Sequence, residues 1–362
     1  MSHIIAARRS AVVPRGGAFA ALSLEQLGAP VLLACQADAG LAPDQVDEVI
    51  VSNALGAGGN PARRMALAAG LPDRVAGLTT DRQCAGGLDA VLLAHAMVAS
   101  GMARVVVAGG VESYSRRPLR FATDPAGGAP VAYDRPPFTP WPDRDPDMHA
   151  AADHLAQRLR IDRASQEAWA IASHAKALAG MDHLRREIVP IASQARDAFA
   201  RVLTPTLARR APVLSGSITA ATAAVAADAA AFVIVAAQPG PGKSCRIIAG
   251  STLGAAPHEP GLAPLAAITT ALHHAGLTAR DLTCAEVMEA YAAQAIACVM
   301  GAGLSPETVN LAGGSLARGH PIGASGAILA VRLFHQVQAG YGLATIAAAG
   351  GIGSALIIQA LP

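Results

Sequence analysis

The chain repeats itself, and that repeat limits the folds open to it more than any other feature. The stretch "RVVVAGGVES", Arg104 to Ser113, is echoed by "TIAAAGGIGS", Thr345 to Ser354. Each is an apolar run followed by Ala-Gly-Gly, an aliphatic residue, one variable position and Ser, and each reads as a buried strand and its turn. Upstream, "PVLLACQADAGLAPDQVDEVIV" is matched by "PLAAITTALHHAGLTARDLTCAEVM". Both read as a Pro-started helix, an Ala-Gly-Leu stop, a loop containing Asp and an apolar strand. Ala39 and Ala275 lie 236 residues apart and Gly109 and Gly350 lie 241 apart, so the matches keep their order at nearly one offset. Between these landmarks each half carries a Gly-rich loop, a helix and a strand. Aromatics are only 3% of the 362 residues while Ala and Gly abound, which suits closely packed layers of helix and sheet. The pattern predicts an α/β fold built from two similar halves.

An insertion of different composition separates the halves. "SRRPLRFATDPAGGAPVAYDRPPFTPWPDRDPD" is rich in Pro, Arg and Asp and is expected to run as irregular surface loop. Two helices should follow, the second capped by Asp162 or Ser165 and placing Trp169, Ile171 and Ala172 on one face. The expected division is residues 1–115 for the first half, 116–215 for the insertion, 216–250 for the end of the first half and 251–362 for the second half. The Ala-rich "ITAATAAVAADAAAFVIVAA" contains Asp228 and reads as a buried helix leading into a strand rather than as a membrane span. A formal net charge of +2 without a basic cluster gives no reason to expect nucleic acid. The five cysteines are scattered and unpaired in pattern, arguing against a structural metal or a disulfide framework. With early charges and no signal-peptide pattern at the N-terminus, a cytoplasmic location is expected.

Two residues stand out chemically. Cys84 lies between a predicted strand end, "GLTTDRQ", and a predicted helix, "AGGLDAVLLAHAM". The positive end of a helix dipole lowers a thiol's pKa, so this position favours a nucleophilic thiolate, against the alternative of a small buried hydrophobe. His320, between Gly and Pro ahead of a second Gly-rich helix start, is poorly placed for core packing. Its imidazole can activate a thiol or donate to an oxyanion. Halves related by a twofold would bring both loops to one cleft, as nucleophilic catalysis requires. The remaining histidines, His149 and His174 among them, read as surface or satisfied-core residues. The glycine-rich "GAGGN" and "GPGK" lack the framing of a dinucleotide or P-loop motif.

With these residues in place, the chain resembles the thiolase family from end to end. "GNPARRMALAAGLPDRVAGLTTDRQCAGGLDA" is similar to the family's nucleophile segment, "VVVAGGVESYS" to the strand after it and "NLAGGSLARGHPIGASGA" to its histidine motif. The resemblance implies a five-layered αβαβα fold with an inserted loop domain, assembled as homodimers or homotetramers. It implies acyl-CoA or acyl-carrier thioesters as substrates, an acyl intermediate on Cys84, and activation by His320. No metal and no prosthetic cofactor is implied, coenzyme A entering only as substrate thioester. In the loop domain the resemblance marks Met148, Arg201, Ala221 and Ala224 as positions near CoA. His149 stands where the family usually has Gly, and the Ala221 to Ala224 stretch is poorer in Gly, Asn and Ser than is usual.

Two departures bear on chemistry. In "VMEAYAAQ", Met288 takes the place of the family's Asn, which holds a water in one oxyanion hole; a thioether cannot donate to that water. In "AAAGGIG", Ala347 stands for the family's acid/base Cys, with Ala349 for the first motif Gly and Gly350 for the next. The acylation groups remain: Cys84, His320 and the backbone N–H groups of Cys84 and Ala349. The expectation is an acyltransferase using Cys84 whose ordinary Claisen condensation and thiolysis are weak or absent. A ketothiolase with a substitute base and a catalytically silent thiolase-fold subunit are the alternatives.

Overall fold

Val-, Ile- and Ala-rich runs bounded by turn residues form strands that alternate with helices. The computed structural model describes residues 1–56 and 58–361, so Ala57 of "GAGGN" and Pro362 lie outside them. The first half contains β1 (His3–Ser10), α1 (Leu24–Asp38), β2 (Glu48–Ser52), α2 (Pro61–Ala68), β3 (Leu78–Thr80), α3 (Gly86–Ala99) and β4 (Val105–Ser113). The insertion carries α4 (Met148–Arg158) and α5 (Arg163–Ala179), after which β5 (Ala227–Ala236) returns to the first sheet. Then come β6 (Cys245–Gly254), α6 (Ala263–Ala275), β7 (Leu282–Val287), α7 (Ala292–Gly301), α8 (Ser315–Arg318), α9 (Ile322–Gln336), β8 (Tyr341–Ala348) and β9 (Ile352–Ala360).

The strand order is β3-β2-β4-β5-β1 followed by β6-β9-β8-β7. In both halves a parallel pair leads into two antiparallel partners: β2 with β4, then β5 and β1; β7 with β8, then β9 and β6. This repeated topology is the duplication seen in the sequence. The two sheets meet at one edge, where His3 pairs with Arg246 and Ile4 with Cys245.

Three apolar clusters separate five layers. Leu27, Val31 and Leu32 of α1 and Met65 of α2 pack on the outer face of the first sheet through Val49, Val51 and Phe232. Ile268 of α6 and Val299 of α7 cover the outer face of the second through Leu343 and Ile357. Between the sheets lie α3 and α9, with Leu88, Val91, Ile328 and Val331 facing Val106 and Val233 on one side and Ile346 and Leu356 on the other. The middle helices cross closely because glycine occupies their contact: a Cβ at Gly87 would stand 2.6 Å from the Ala327 nitrogen, and one at Gly326 would stand 2.4 Å from that of Leu88. Among the described residues no helix is long and apolar enough to cross a membrane.

Several local expectations are corrected. Helix α1 begins at Leu24 under a Ser23–Gln26 capping box, and Pro30 lies inside it instead of starting it; α6 does start with proline, Pro264 being its second residue. The Ala-rich stretch is not a helix before its strand. It makes a Thr219–Thr222 turn and then the fully buried strand β5. Buried on both faces, β5 follows its tertiary setting against alanine's helix preference. The Gly-Gly echoes also differ. Gly109 and Gly110 continue β4, paired with Phe232 and Ala231, whereas Gly350 and Gly351, at φ 80° and 75°, form the β8–β9 turn. Gly110 is needed for closeness instead of turning, since a Cβ there would stand 2.1 Å from the Gly323 oxygen. The Pro-rich insertion includes a small hairpin, Arg120–Ala122 with Val131–Tyr133. Asp162 caps α5, but its buried face is Gln166, Glu167, Ala170, Ser173, His174 and Ala177, leaving Ala172 exposed.

Candidate active site

Cys84 sits in a single 3₁₀ turn, Gln83–Ala85, that runs directly into α3. Gln83 holds a left-handed φ of 49° while its N–H donates to Asp81 Oδ1 at 2.9 Å, a local strain that presents the next side chain to the cleft. His320 lies between α8 and α9. Its N–H donates to the Val225 carbonyl at 2.7 Å, and the preceding Gly319 has φ 114° with a would-be Cβ 2.9 Å from Ala227. Only glycine enters this turn without strain.

The two loops meet. His320 Nε2 lies 3.1 Å from Cys84 Sγ, and its Nδ1 lies 2.6 Å from Ser325 Oγ. With Ser325 accepting from Nδ1–H, Nε2 presents a lone pair to the thiol. Both residues are half-buried. The backbone N–H groups of Cys84 and Ala349 favour the ionised sulfur. The expected thiolate is corrected: burial pushes the Cys84 thiol up to about 12, reinforced by the charges of Glu112 and Asp81, against the pull of the two N–H groups. Burial lowers His320 to about 4. At neutral pH the pair is therefore an uncharged thiol and an uncharged imidazole.

Two buried carboxylates hold the histidine loop from either side. Glu112, at the end of β4, accepts from Gly323 N–H at 3.1 Å, from the Ala54 and Leu55 N–H groups and from Asn53 Nδ2 at 2.8 Å. Burial raises its pKa to about 7. Glu289 accepts from Leu316 N–H, Trp169 Nε1, Ser173 Oγ and Asn310 Nδ2, tying α5 and α8 to the end of β7. The acidic residues sit inside apolar runs, and only their many donors identify their role; sequence reading passed over both.

The thiolase N-terminal domain profile matches residues 2–239, and the thiolase C-terminal domain profile matches residues 243–360. The chain belongs to the thiolase family. It is 36% identical over 375 residues to a putative acetyl-CoA C-acetyltransferase, YhfS, of Bacillus subtilis, covering 99% of each. It is also 36% identical over 396 residues to an acetyl-CoA acetyltransferase of Thiocystis violacea, covering 99% of this chain and 98% of that one. Among solved structures it is similar to the Bacillus anthracis acetyl-CoA acetyltransferase, with a TM-score of 0.92 at 32% identity over 99% of this chain and 98% of that one. The human mitochondrial 3-ketoacyl-CoA thiolase in complex with CoA gives 0.90 at 28% identity, over 100% and 98% of the two chains.

In this thiolase Ala347 is the penultimate residue of β8, opposite Gly353, and presents only a methyl group. Met288 is fully buried, and its Sδ accepts from Ser315 Oγ at 3.1 Å. A Cβ on Gly350 would contact the Phe138 carbonyl at 3.2 Å, which sets the insertion against the β8–β9 turn. Ala221 is buried beside Ala292 and Leu316, while Ala224 donates its N–H to the Ala290 carbonyl. Met148 opens α4. The Arg201 guanidinium stacks on Phe199 at 4.2 Å, away from the Cys84–His320 pair in its contacts, and the Arg201 backbone N–H donates to His174 Nδ1. The unexpected member is His149, whose Nδ1 lies 3.0 Å from Tyr291 Oη and whose ring stands edge-on to the phenol. Its replacement of the usual Gly was the one sequence signal that could have singled it out from the other histidines.

Proposed function

We propose that the chain is an acyltransferase that forms an acyl-Cys84 intermediate from an acyl-CoA or carrier-bound thioester. The 3.1 Å contact between Cys84 Sγ and His320 Nε2 carries this reading. His320 takes the thiol proton as sulfur attacks the thioester carbonyl. The carbonyl oxygen gains charge against the N–H groups of Cys84 and Ala349, and the departing thiol leaves with the proton from His320. Keeping both groups uncharged until substrate arrives costs nothing at rest and confines charge to the transition state. The acyl-CoA chemistry named for the Bacillus and Thiocystis relatives supports the same donor class.

The second half-reaction departs from the ordinary family arrangement. Position 347 has no proton-transfer group, and Met288, buried against Ser315, offers no donor to a water. Loss of a general base costs about 10²–10⁴-fold and of one oxyanion donor about 10²–10³-fold, so condensation through those two positions is reduced. Intact-mass measurement after mixing with acetyl-CoA and longer acyl-CoAs tests the reading. An acyl adduct on Cys84, lost in Cys84→Ala, is expected; an unmodified chain with a free Cys84 thiol would refute it.

A further inference from the structure

The His149–Tyr291 pair has no part in acylation as described above, yet its construction is that of a reactive couple. His149 is in the first turn of α4, where Asp147 accepts from the His149 and Ala150 N–H groups and fixes the helix start. Tyr291 immediately follows the Met288-Glu289-Ala290 segment that leaves β7. The 3.0 Å contact and the edge-on stacking at 5.6 Å between ring centroids join insertion to second half. Both side chains are half-buried, and among the described residues His149 Nε2 makes no hydrogen bond.

The backbone at Tyr291 also pairs with the segment that pairs with the histidine loop. Ala223 bridges to Tyr291 and Ala226 bridges to His320, so the phenol and the imidazole that touches Cys84 hang from one segment, three residues apart and within about 10 Å of chain. Burial, with the Asp147 carboxylate adding to it, raises the Tyr291 hydroxyl, so it stays a neutral donor or acceptor.

We propose that His149, oriented by Tyr291, is the acid/base residue of the second half-reaction, supplying from the insertion the proton transfer for which Ala347 has no group. This inference rests on the acyl-Cys84 reading. Nδ1–H donates to Tyr291 Oη, which leaves the Nε2 lone pair free. Nε2 takes the α-proton of the accepting thioester, and the electrons of that C–H bond form the new bond to the acyl carbonyl carbon. Collapse of the tetrahedral intermediate breaks the carbon–sulfur bond to Cys84. Solvent returns a proton to the thiolate by way of His320, and His149 releases the α-proton it took to solvent, so the two transfers balance. Thiolysis runs the same steps backwards.

The test separates the two stages. Cys84 acetylation by acetyl-CoA is followed by intact mass, and thiolysis of acetoacetyl-CoA with CoA is followed by turnover. Wild-type chain is expected to show both. His149→Ala is expected to lower kcat for thiolysis about 10²–10⁴-fold, and Tyr291→Phe, which keeps the ring, about tenfold, with Cys84 still acetylated in each. The inference is overturned by variants that turn over like wild type, by an effect confined to KM, or by variants that lose acetylation too, which would make the pair a packing clamp. A wild-type chain acetylated on Cys84 but without thiolysis overturns it and leaves the acyl-Cys84 reading standing. No wild-type adduct would refute that earlier reading itself.

Discussion

At Cys84 the helix start and the burial of the sulfur pull in opposite directions, and burial dominates. The dipole of α3 and two N–H groups favour thiolate, but the protonated form prevails with the thiol pushed up to about 12. The consequence is measurable. Alkylation of Cys84 by iodoacetamide should be slow at pH 7 and climb about tenfold per pH unit toward pH 10, as the thiolate fraction grows. A rate already level at pH 7 would show that the pair rests as thiolate and imidazolium. The sequence showed which residues meet, because a Cys before a Gly-rich helix and a His inside "GHP" are distinctive. It did not show their protonation, which depends on desolvation by residues far away in the chain. His149 was illegible for a related reason: its partner Tyr291 is 142 positions away, and a lone histidine on a helix carries no sign of that contact.

Elements are positioned here by what their glycines allow and their carboxylates hold. Strand β4 and helix α9 approach so closely at Gly110 that a methyl group would collide with the Gly323 carbonyl. Gly110→Ala should therefore lower stability by about 1–3 kcal/mol or more in urea denaturation and reduce Cys84 acylation, because Gly323 anchors the helix that follows His320. An unchanged unfolding midpoint would refute the close-contact account. The echo of Gly109-Gly110 with Gly350-Gly351 was plain in the letters, but one pair continues a strand and the other turns it. The letters report only that a side chain is unwelcome; whether the reason is crowding or positive φ depends on the neighbour that packs there.

Across the whole molecule, a buried six-charge network joins the insertion to both halves. Arg9 pairs with Glu187 at 2.6 Å and with Asp197 at 2.6 Å; Arg332 of α9 reaches Glu187 at 2.9 Å and Glu286 at 3.5 Å, while Arg318 lies 3.9 Å from Glu286. Removing one member strands its partners, so Arg332→Leu should destabilise by about 3–5 kcal/mol in equilibrium unfolding, and a neutral result would contradict the burial of the network. Acid should loosen the same architecture in two stages. His174 and His320 are held near 4, below the ordinary 6.5, so protonation favours the unfolded chain. Their contribution is full above about pH 6.5 and is lost as pH falls toward 4. Glu187, drawn down to about 2 by Arg332 and Arg9 although burial opposes them, adds stability above about 4.5 that disappears as pH falls through 2. Melting temperature measured from pH 7 to 3 should fall across the first window, and His174→Gln should remove up to about 3 kcal/mol of that dependence. A flat profile between pH 6.5 and 4 would refute it. By itself, the sequence determined the duplicated α/β plan, the family and the two loops that carry Cys84 and His320, because periodicity, glycine punctuation and local motifs are written over short spans. Only the tertiary structure decided that the Ala-rich run is a strand, that the thiol rests protonated, and that His149 stands against Tyr291. Burial, charge coupling and close approach are properties of residues far apart in the chain, and they exist only once the layers have packed.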